Sequence, residues 1–310
     1  MKDTRDIDWT KQSPYDRFNY FIALKVDRYK TLLATIEKMK LNSLVISVSG
    51  NRHIFIFPPS RKIPLPLGSA LPFQGESPYM LVAHYDRVEG SPGANDNSIA
   101  VFHLLRAATI LTQRGLNNWM IIFTDKEELN AGENFESQGS FTLAQKLKTW
   151  GHEKSKIFNF DACGIGDTFI FSNLTDSVLA KSASPNVQKI KNDIQNLRNH
   201  VLKTAHLLRL EKYMVAPAPF CDDMGFLRAG YAVQTITVLP SEEASQYEEI
   251  LRKQPDFTKL LISGEIKNSP QRRNLPMTWK NLNNAGDTPS RLTPQYFDLT
   301  VNFMVELCAI

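Results

Sequence analysis

The chain has 310 residues, of which 42% are hydrophobic and 22% are charged, and its formal net charge is +4. This composition is typical of a globular protein with a large apolar core, and it excludes a disordered or fibrous chain. The basic residues are spread along the sequence, so the small positive charge does not indicate a nucleic-acid partner. The sequence contains no apolar run that could span a bilayer and no apolar signal-peptide core, so we expect no membrane partner.

The cysteine content points to a reducing compartment. The three cysteines are too few and too scattered for a disulfide framework or a paired-cysteine metal site. Together with the missing signal-peptide pattern, this predicts a cytoplasmic protein. The sequence does not specify an oligomeric state.

The first part of the chain, residues 1–78, is predicted to form a helix followed by a hairpin. Apolar residues recur at helical spacing over 15–38. Two strands at 44–49 and 53–57 follow, on either side of a Ser-Gly-Asn turn. The stretch 58–78 is rich in proline and glycine and is predicted to be an irregular loop.

Strands and helices alternate in the middle of the chain. Short apolar runs at 79–83, 118–124 and 157–161 are typical of buried strands. Helical patterns at 98–113 and 140–150 separate these runs, and a glycine follows each helix. This alternation predicts an α/β fold with a mixed, mostly parallel central sheet flanked by helices.

The last part of the chain continues this pattern with one interruption. Its predicted elements are strands at 169–172 and 232–239 and helices at 185–208 and from residue 294 onward. The polar stretch 241–276 is irregular in pattern and is predicted to be an insertion or a lid. We expect residues 1–310 to form a single domain.

The ends of three predicted strands and the start of one helix carry side chains that bind metals. These residues are His84, Asp86, Asp96, Glu127, Glu128 and Asp161. The carboxyl ends of strands in an open parallel sheet converge on one crevice, so we expect the six side chains to share a site. Imidazole and carboxylate groups are zinc ligands in proteins, which predicts a metal centre at this crevice.

These six residues lie in three motifs. The segments are AHYDRVEGSPGANDNS, TDKEELNAGENFESQGS and FNFDACG. They resemble the HxD, GAxDN, Glu-Glu and strand-terminal Asp motifs of the co-catalytic zinc aminopeptidases, the M28 (clan MH) metallopeptidase family. The likeness is good from residue 79 to about 169 and loose over 222–239 and 278–292. The resemblance implies a three-layer zinc-exopeptidase-like fold and the removal of N-terminal residues from a peptide or small amide.

The same resemblance assigns the metal ligands. His84 and Asp161 would bind one zinc ion, Asp96 would bridge two ions, and Glu128 would bind the second. Asn283, in the segment WKNLNNAGDT, stands where the family has a late His ligand for the second ion. An amide oxygen is a weak zinc ligand, which leaves three alternatives: Asn283 binds through oxygen, the second ion is weak or absent, or the protein is inactive. We favour a hydrolase-like centre in which the His84/Asp96/Asp161 position holds metal more tightly.

Two further carboxylates receive catalytic roles from the resemblance. Glu127 would be the general base that takes a proton from the attacking water and passes it to the leaving amine. Asp86 would orient the ring of His84, as carboxylates behind metal-bound histidines do. Adjacent Glu127 and Glu128 can have different roles because consecutive side chains diverge in a turn.

The loop PAPFCDDMGFLRAG resembles a family segment beside the substrate pocket. It would place Phe220, Asp222 and Asp223 at the pocket rim, although a capped turn before a helix explains the same residues equally well. Two other functions stay open. A glutaminyl cyclase shares the fold but, by the same resemblance, holds its single metal partly through the late-His position that is missing here. A non-catalytic or weakly active binding protein on this scaffold is the alternative that Asn283 supports.

Overall fold

The computed structural model describes residues 8–63, 71–73, 76–130, 132–180, 182–263, 266 and 269–310. Its eight-stranded sheet has the order β1-β2-β4-β3-β5-β8-β6-β7. The strands are β1 (Ser43–Val48), β2 (Asn51–Ile56), β3 (Tyr79–His84), β4 (Trp119–Thr124), β5 (Lys156–Phe160), β6 (Thr168–Ser172), β7 (Tyr213–Ala216) and β8 (Val233–Leu239). The four adjacent strands β4, β3, β5 and β8 are parallel, and the pairs β1–β2, β2–β4 and β6–β8 are antiparallel, which confirms the predicted α/β fold with a mixed sheet.

Helices cover both faces of this sheet. They are α1 (Phe18–Phe21), α2 (Arg28–Lys38), α3 (Ile99–Gln113), α4 (Gly139–Thr149), α5 (Leu174–Leu179), α6 (Pro185–Leu207), α7 (Asp222–Arg228), α8 (Ser241–Lys253), α9 (Phe257–Ser263), α10 (Met277–Lys280) and α11 (Phe297–Leu307). None of these described helices combines the length and the apolar character needed to cross a membrane.

The central strand β3 is apolar without interruption because both of its faces are covered. Tyr79, Leu81 and Ala83 contribute to one apolar core, which includes residues of α3, α6 and α11. Met80 and Val82 point to the opposite face and contribute to a second core with residues of α4 and α7. Because side chains alternate between the faces of a strand, a sheet covered on both sides needs apolar residues at every position.

The predicted helix over 15–38 is wrong in its middle. A 3₁₀ turn and α1 end by Phe21, and α2 begins only after its N-cap Asp27, whose side chain accepts a hydrogen bond from Lys30 N at 3.0 Å. Part of the backbone between α1 and α2, residues 22–24, is bound by a side chain from another part of the chain. The guanidinium of Arg87 donates to the carbonyl oxygens of residues 22, 23 and 24. The chain therefore turns here, although the spacing of apolar residues stays close to helical on both sides.

The region after residue 210 differs from the prediction in three places. Strand β7 was not expected, and part of the predicted loop around residue 222 is the helix α7. The stretch 241–276 is largely helical, not irregular: it contains α8, α9 and a 3₁₀ turn at Pro270–Asn274. Its buried apolar residues include Tyr247, Phe257 and Leu261, which share a core with Trp279.

Some predictions fall on residues that the structure does not describe. Within the predicted loop 58–78, residues 64–70, 74 and 75 lie outside the described residues, as do 264, 265, 267 and 268 within 241–276. The assignment of 241–276 as an insertion or lid stays a prediction.

Candidate metal centre

The predicted ligands come from the ends of the central parallel strands. Strand β3 ends at His84, which pairs in register with Thr124 at the end of β4. Strand β5 lies on the other side of β3 and ends at Phe160, directly before Asp161. Because neighbouring parallel strands end at the same edge of the sheet, the residues that follow them face one crevice.

Three ligand groups converge at this edge. His84, Asp96 and Glu128 each offer a ligand atom, and these atoms all lie within 4.8 Å of one another. His84 Nε2 is 3.1 Å from Asp96 Oδ1 and 3.8 Å from Asp161 Oδ2. Tetrahedral ligands with bonds of about 2 Å to zinc lie roughly 3.3 Å apart, so these spacings suit an ion between the groups. In the described part of the chain, the third member of the converging group is thus Glu128. The sequence favours Asp161 as the third ligand of the tighter site.

Two carboxylates of the centre each have a buried oxygen without a hydrogen-bond partner. Glu128 Oε1 and Asp161 Oδ1 are buried and have no hydrogen-bond partner within the described structure. Burial, and then the nearby Asp96 carboxylate, raise the pKa of Glu128 to about 9 and that of Asp161 to about 8. A divalent cation would satisfy the free oxygens and favour the ionised carboxylates. The donor set therefore fits zinc.

Asp86 links the histidine ligand to the two glutamates. Its carboxylate accepts hydrogen bonds from Glu127 N at 3.1 Å and from Glu128 N at 3.0 Å. One of its oxygens also lies 3.4 Å from His84 Nδ1. A single carboxylate thus fixes the backbone of the Glu127-Glu128 turn and stands behind the ring of His84, as outer partners of metal ligands do.

The turn at residues 93–98 presents Asp96 to the centre. Gly93 has φ 60°, and a Cβ there would lie only 2.7 Å from the Asp96 carbonyl oxygen, so a side chain does not fit. Asp287 accepts hydrogen bonds from Asn95 N at 2.8 Å and from Asp96 N at 2.9 Å. The backbone of the predicted bridging ligand is therefore held by a carboxylate distant in sequence.

The asparagines on either side of Asp96 also hold this turn, a role that the motif comparison did not assign. Asn95 Oδ1 accepts a hydrogen bond from Gly164 N at 2.8 Å, and Asn97 Nδ2 donates to Phe160 O at 2.7 Å. Both partners belong to the end of β5 and the loop after it. The available signal was the Asn-Asp-Asn pattern, since side-chain amides both donate and accept hydrogen bonds in buried turns.

Glu127 lies beside the ligands and is held by a second amide. It is 9% exposed. Gln138 Nε2 donates to Glu127 Oε1 at 3.1 Å and to the Glu127 backbone oxygen at 3.2 Å. Burial raises the pKa of Glu127 well above its usual value, and the neighbouring carboxylates act in the same direction. Gln138 was not predicted to take part in the site.

The predicted rim residues occupy two different environments. Asp222 and Asp223 are 0% and 1% exposed, at the start of α7. Asp222 accepts a hydrogen bond from Thr124 Oγ1 at 2.5 Å, so it lies beneath the strand end and not at a solvent-facing rim. Phe220 is half-buried, and its ring lies edge-on to Phe135 with the ring centres 5.4 Å apart.

Asn283, the candidate amide ligand, is an exposed residue with φ 63°. Asparagine tolerates this left-handed conformation better than most residues do, which gives a local reason for its presence. The same loop reaches the centre through Asp287, four positions further on. A ligand role for Asn283 stays a prediction.

Comparison with known proteins identifies the family. Residues 69–250 match the family model described as peptidase family M28, and this segment is more than half of the chain. The chain belongs to peptidase family M28. The resemblance seen in the motifs is thereby confirmed. No curated protein matches this M28 chain significantly.

Solved structures share the fold of this M28 protein over nearly its whole length. Porphyromonas gingivalis glutaminyl cyclase is 16% identical with a TM-score of 0.60, over 95% of this chain and 94% of the other. A leucine aminopeptidase precursor from Bacteroides thetaiotaomicron is 13% identical with a TM-score of 0.59, over 94% and 93%. Legionella pneumophila LapA aminopeptidase is 12% identical with a TM-score of 0.58, over 95% and 69%. These likenesses show the fold, and the family supports a metal-dependent hydrolase.

Proposed function

We propose that this M28 protein is a zinc-dependent aminopeptidase that removes N-terminal residues from peptides or small amides. The observation that carries the proposal is the convergence of His84, Asp96 and Glu128 within 4.8 Å, next in sequence to the buried Glu127. Metal ligands and a proton acceptor at one edge of a sheet are the groups that metal-assisted amide hydrolysis requires.

The residues that would hold zinc are His84, Asp96, Glu128 and Asp161, and Asn283 is the candidate amide ligand for a second, weaker ion. When bound, zinc supplies Lewis acidity: it lowers the pKa of water to about 7 and polarises a carbonyl group. The protein's contribution is to hold the ligands in place before the ion arrives.

Glu127 would take a proton from the attacking water and return it to the leaving amine. Two contacts prepare it for this role: Gln138 holds its carboxylate at 3.1 Å, and Asp86 holds its backbone N–H at 3.1 Å. The raised pKa of Glu127, caused first by burial, suits a group that alternates between its charged and protonated forms.

The charge of the site suits the ammonium group of a peptide N-terminus. The carboxylates of the centre create a negative potential that attracts a cationic substrate end. Asp222 and Asp223 would add to this potential without touching the substrate, because both are buried. The half-buried pair Phe220 and Phe135 would contact an apolar part of the substrate.

A panel of aminoacyl-p-nitroanilides and short peptides, assayed with added zinc, cobalt or manganese, tests the proposal. We expect release of the first residue, loss of activity after chelation and recovery when metal is restored. Inactivity with every substrate and metal would contradict the proposal and favour a non-catalytic binding protein on this scaffold.

The substitution Glu127→Gln is expected to lower kcat by about 10²–10⁴-fold, because the amide cannot accept the proton. Zinc content, measured by mass spectrometry of the native protein, should stay at the wild-type level. Glu136→Gln is the matched control, since Glu136 is exposed in the same loop and should leave both quantities unchanged. Wild-type turnover in Glu127→Gln would show that Glu127 is not the general base.

Glutaminyl cyclisation is the second candidate. The described ligands form one three-residue group, which suits a single ion, and the P. gingivalis glutaminyl cyclase shares the fold. Incubation with a peptide that begins with glutamine separates the two functions. Free glutamine supports the aminopeptidase, whereas ammonia and a peptide 17 Da lighter support the cyclase, about the mass of the ammonia lost.

A further inference from the structure

A buried arginine stands behind the turn that carries Asp96. Arg28, the first residue of α2, is only 7% exposed. Its Nη2 donates to Ser98 Oγ at 2.6 Å, whereas its Nε and Nη1 have no hydrogen-bond partner within the described structure. The guanidinium carbon also lies 4.3 Å from the centre of the Phe21 ring. A full positive charge is therefore held in the interior by neutral groups.

This charge is placed close to the carboxylates of the centre. Gly93 lies between the backbone of Asp96 and the guanidinium of Arg28: a Cβ on Gly93 would lie 2.7 Å from Asp96 O and 3.0 Å from Arg28 Nη1. The guanidinium therefore packs against the backbone of the 93–98 turn. The negative charges of Asp86, Asp96 and Asp287 favour the protonated form of Arg28. Burial, and next the positive charge of Arg87, lower the pKa of Arg28 to about 9, which still leaves it charged at neutral pH.

We propose that Arg28 is a fixed counter-charge for the carboxylates around Asp96, a positioning residue that stabilises the 93–98 turn when no cation is bound. The proposal rests on the metal site of the proposed function. Arg28 and a bound cation then offset the same negative charges, so each stabilises the protein more when the other is absent. Arg28 also lies outside the segment that matches the family model, residues 69–250.

Thermal unfolding with and without zinc tests this coupling. The variants are Arg28→Met, which removes the charge, and Arg28→Lys, which keeps it. We expect metal-free Arg28→Met to unfold at a lower temperature than wild type. Its zinc-induced rise in Tm should exceed the wild-type rise by about 3 °C or more. Titration calorimetry should give about tenfold tighter zinc binding by Arg28→Met, because a nearby positive charge has been removed. Arg28→Lys should resemble wild type in both measurements.

Two controls separate the charge from ordinary structural effects. Arg198 is equally buried, at 5% exposure, but pairs with Asp176 away from the centre. Arg198→Met should therefore lower Tm while leaving the zinc-induced shift at the wild-type value. Ser98→Ala removes two hydrogen bonds, the one from Arg28 Nη2 and the one that Ser98 Oγ donates to Gly93 O, and it keeps the charge of Arg28. It should therefore lower Tm and still show the wild-type zinc-induced shift.

The outcomes that overturn the proposal are distinct from those that overturn the metal site. If the zinc-induced rise in Tm of Arg28→Met is no larger than that of wild type, the proposed role of Arg28 is wrong but the metal site is not contradicted. An enlarged rise in Ser98→Ala would lead to the same conclusion. No shift in wild type overturns both the metal site and this inference. If Arg28→Met does not fold without metal, expression with zinc should restore it; failure in both conditions contradicts the proposal.

Discussion

The two loops that meet at Asp96 are built very differently. In the 93–98 turn every residue from 94 to 98 is buried, and Asn95 and Asn97 hydrogen-bond to the end of β5 and the loop after it. In the loop that carries Asn283, residues 283–285 are exposed, and the side chain of Asn284 donates to Leu282 O and to Lys280 O at the end of α10. Asp96, the predicted bridging ligand that matches the family, thus stands on the segment locked into the sheet edge. Asn283, the ligand position that departs from the family, stands on a segment whose Asn284 side chain hydrogen-bonds to nearby residues of the same segment.

Asp287 joins the two loops. It accepts the N–H groups of Asn95 and Asp96, and its own carbonyl oxygen accepts from Ala94 N at 3.3 Å. The contribution of the exposed loop to the centre is therefore of two kinds: support for the buried turn through Asp287, and the proposed ligand Asn283. Substitutions can separate these contributions.

The largest effect is expected in the buried turn. Asp96→Asn removes a charged ligand oxygen from the point where the three ligand groups converge, so we expect zinc affinity to fall more than about 100-fold. Competition with a chromogenic chelator measures the change. Near-normal affinity in this variant would mean that the turn is not the anchor of the centre.

An intermediate effect is expected at the junction. Asp287→Asn replaces an acceptor of two backbone N–H groups by an amide that offers only one oxygen, which loosens the turn. We expect zinc affinity to fall about 10–100-fold, as it does for other residues that orient metal ligands. Asp298→Asn is the control, because the Asp298 side chain is 73% exposed and should leave the affinity unchanged. Equal affinities in the two variants would contradict the supporting role of Asp287.

The smallest effect is expected in the exposed loop. Asn283→His restores an imidazole at the late ligand position, and we expect a gain of up to about tenfold in the affinity for a second zinc ion. Metal titration followed by native mass spectrometry counts the ions per chain. A second ion bound tightly by the unaltered protein would already show that Asn283 does not limit the centre.

Much of the sheet is predictable because its central strands are buried on both faces. The apolar runs of β3, β4 and β5 stand out from polar flanks, and their predicted ends lie within one residue of the structure. Strand β7 has only four residues, and Tyr213 and Val215 are about 40% exposed, so it leaves no comparable pattern. Helix α8 buries only Ala244 and Tyr247, which explains why its polar sequence appeared irregular.

The residues of the site also fall into a group that the sequence predicts and a group that it does not. The predicted metal ligands could be named because each follows a strand or opens a helix in a known motif. Of their supporting residues, Asp86 could be named because it stands in the same motif as His84. Asp287 could not be, since hydrogen-bond partners distant in sequence leave no local signal: it is 191 positions from Asp96. Whether the named residues bind metal and catalyse hydrolysis stays a prediction for the variants described above.

The hydrogen bonds of Arg87 indicate which N-terminal residues a shortened version of the protein must keep. This guanidinium, one residue after Asp86, donates to four carbonyl oxygens, three of them on residues 22–24 and the fourth on Pro92. A fragment trimmed to the family match, starting at residue 69, would remove three of the four acceptors and the whole of α2. Truncation for crystallisation or for tagging should therefore keep the segment before β1, because its backbone carbonyl groups hold Arg87, which lies beside the candidate metal centre.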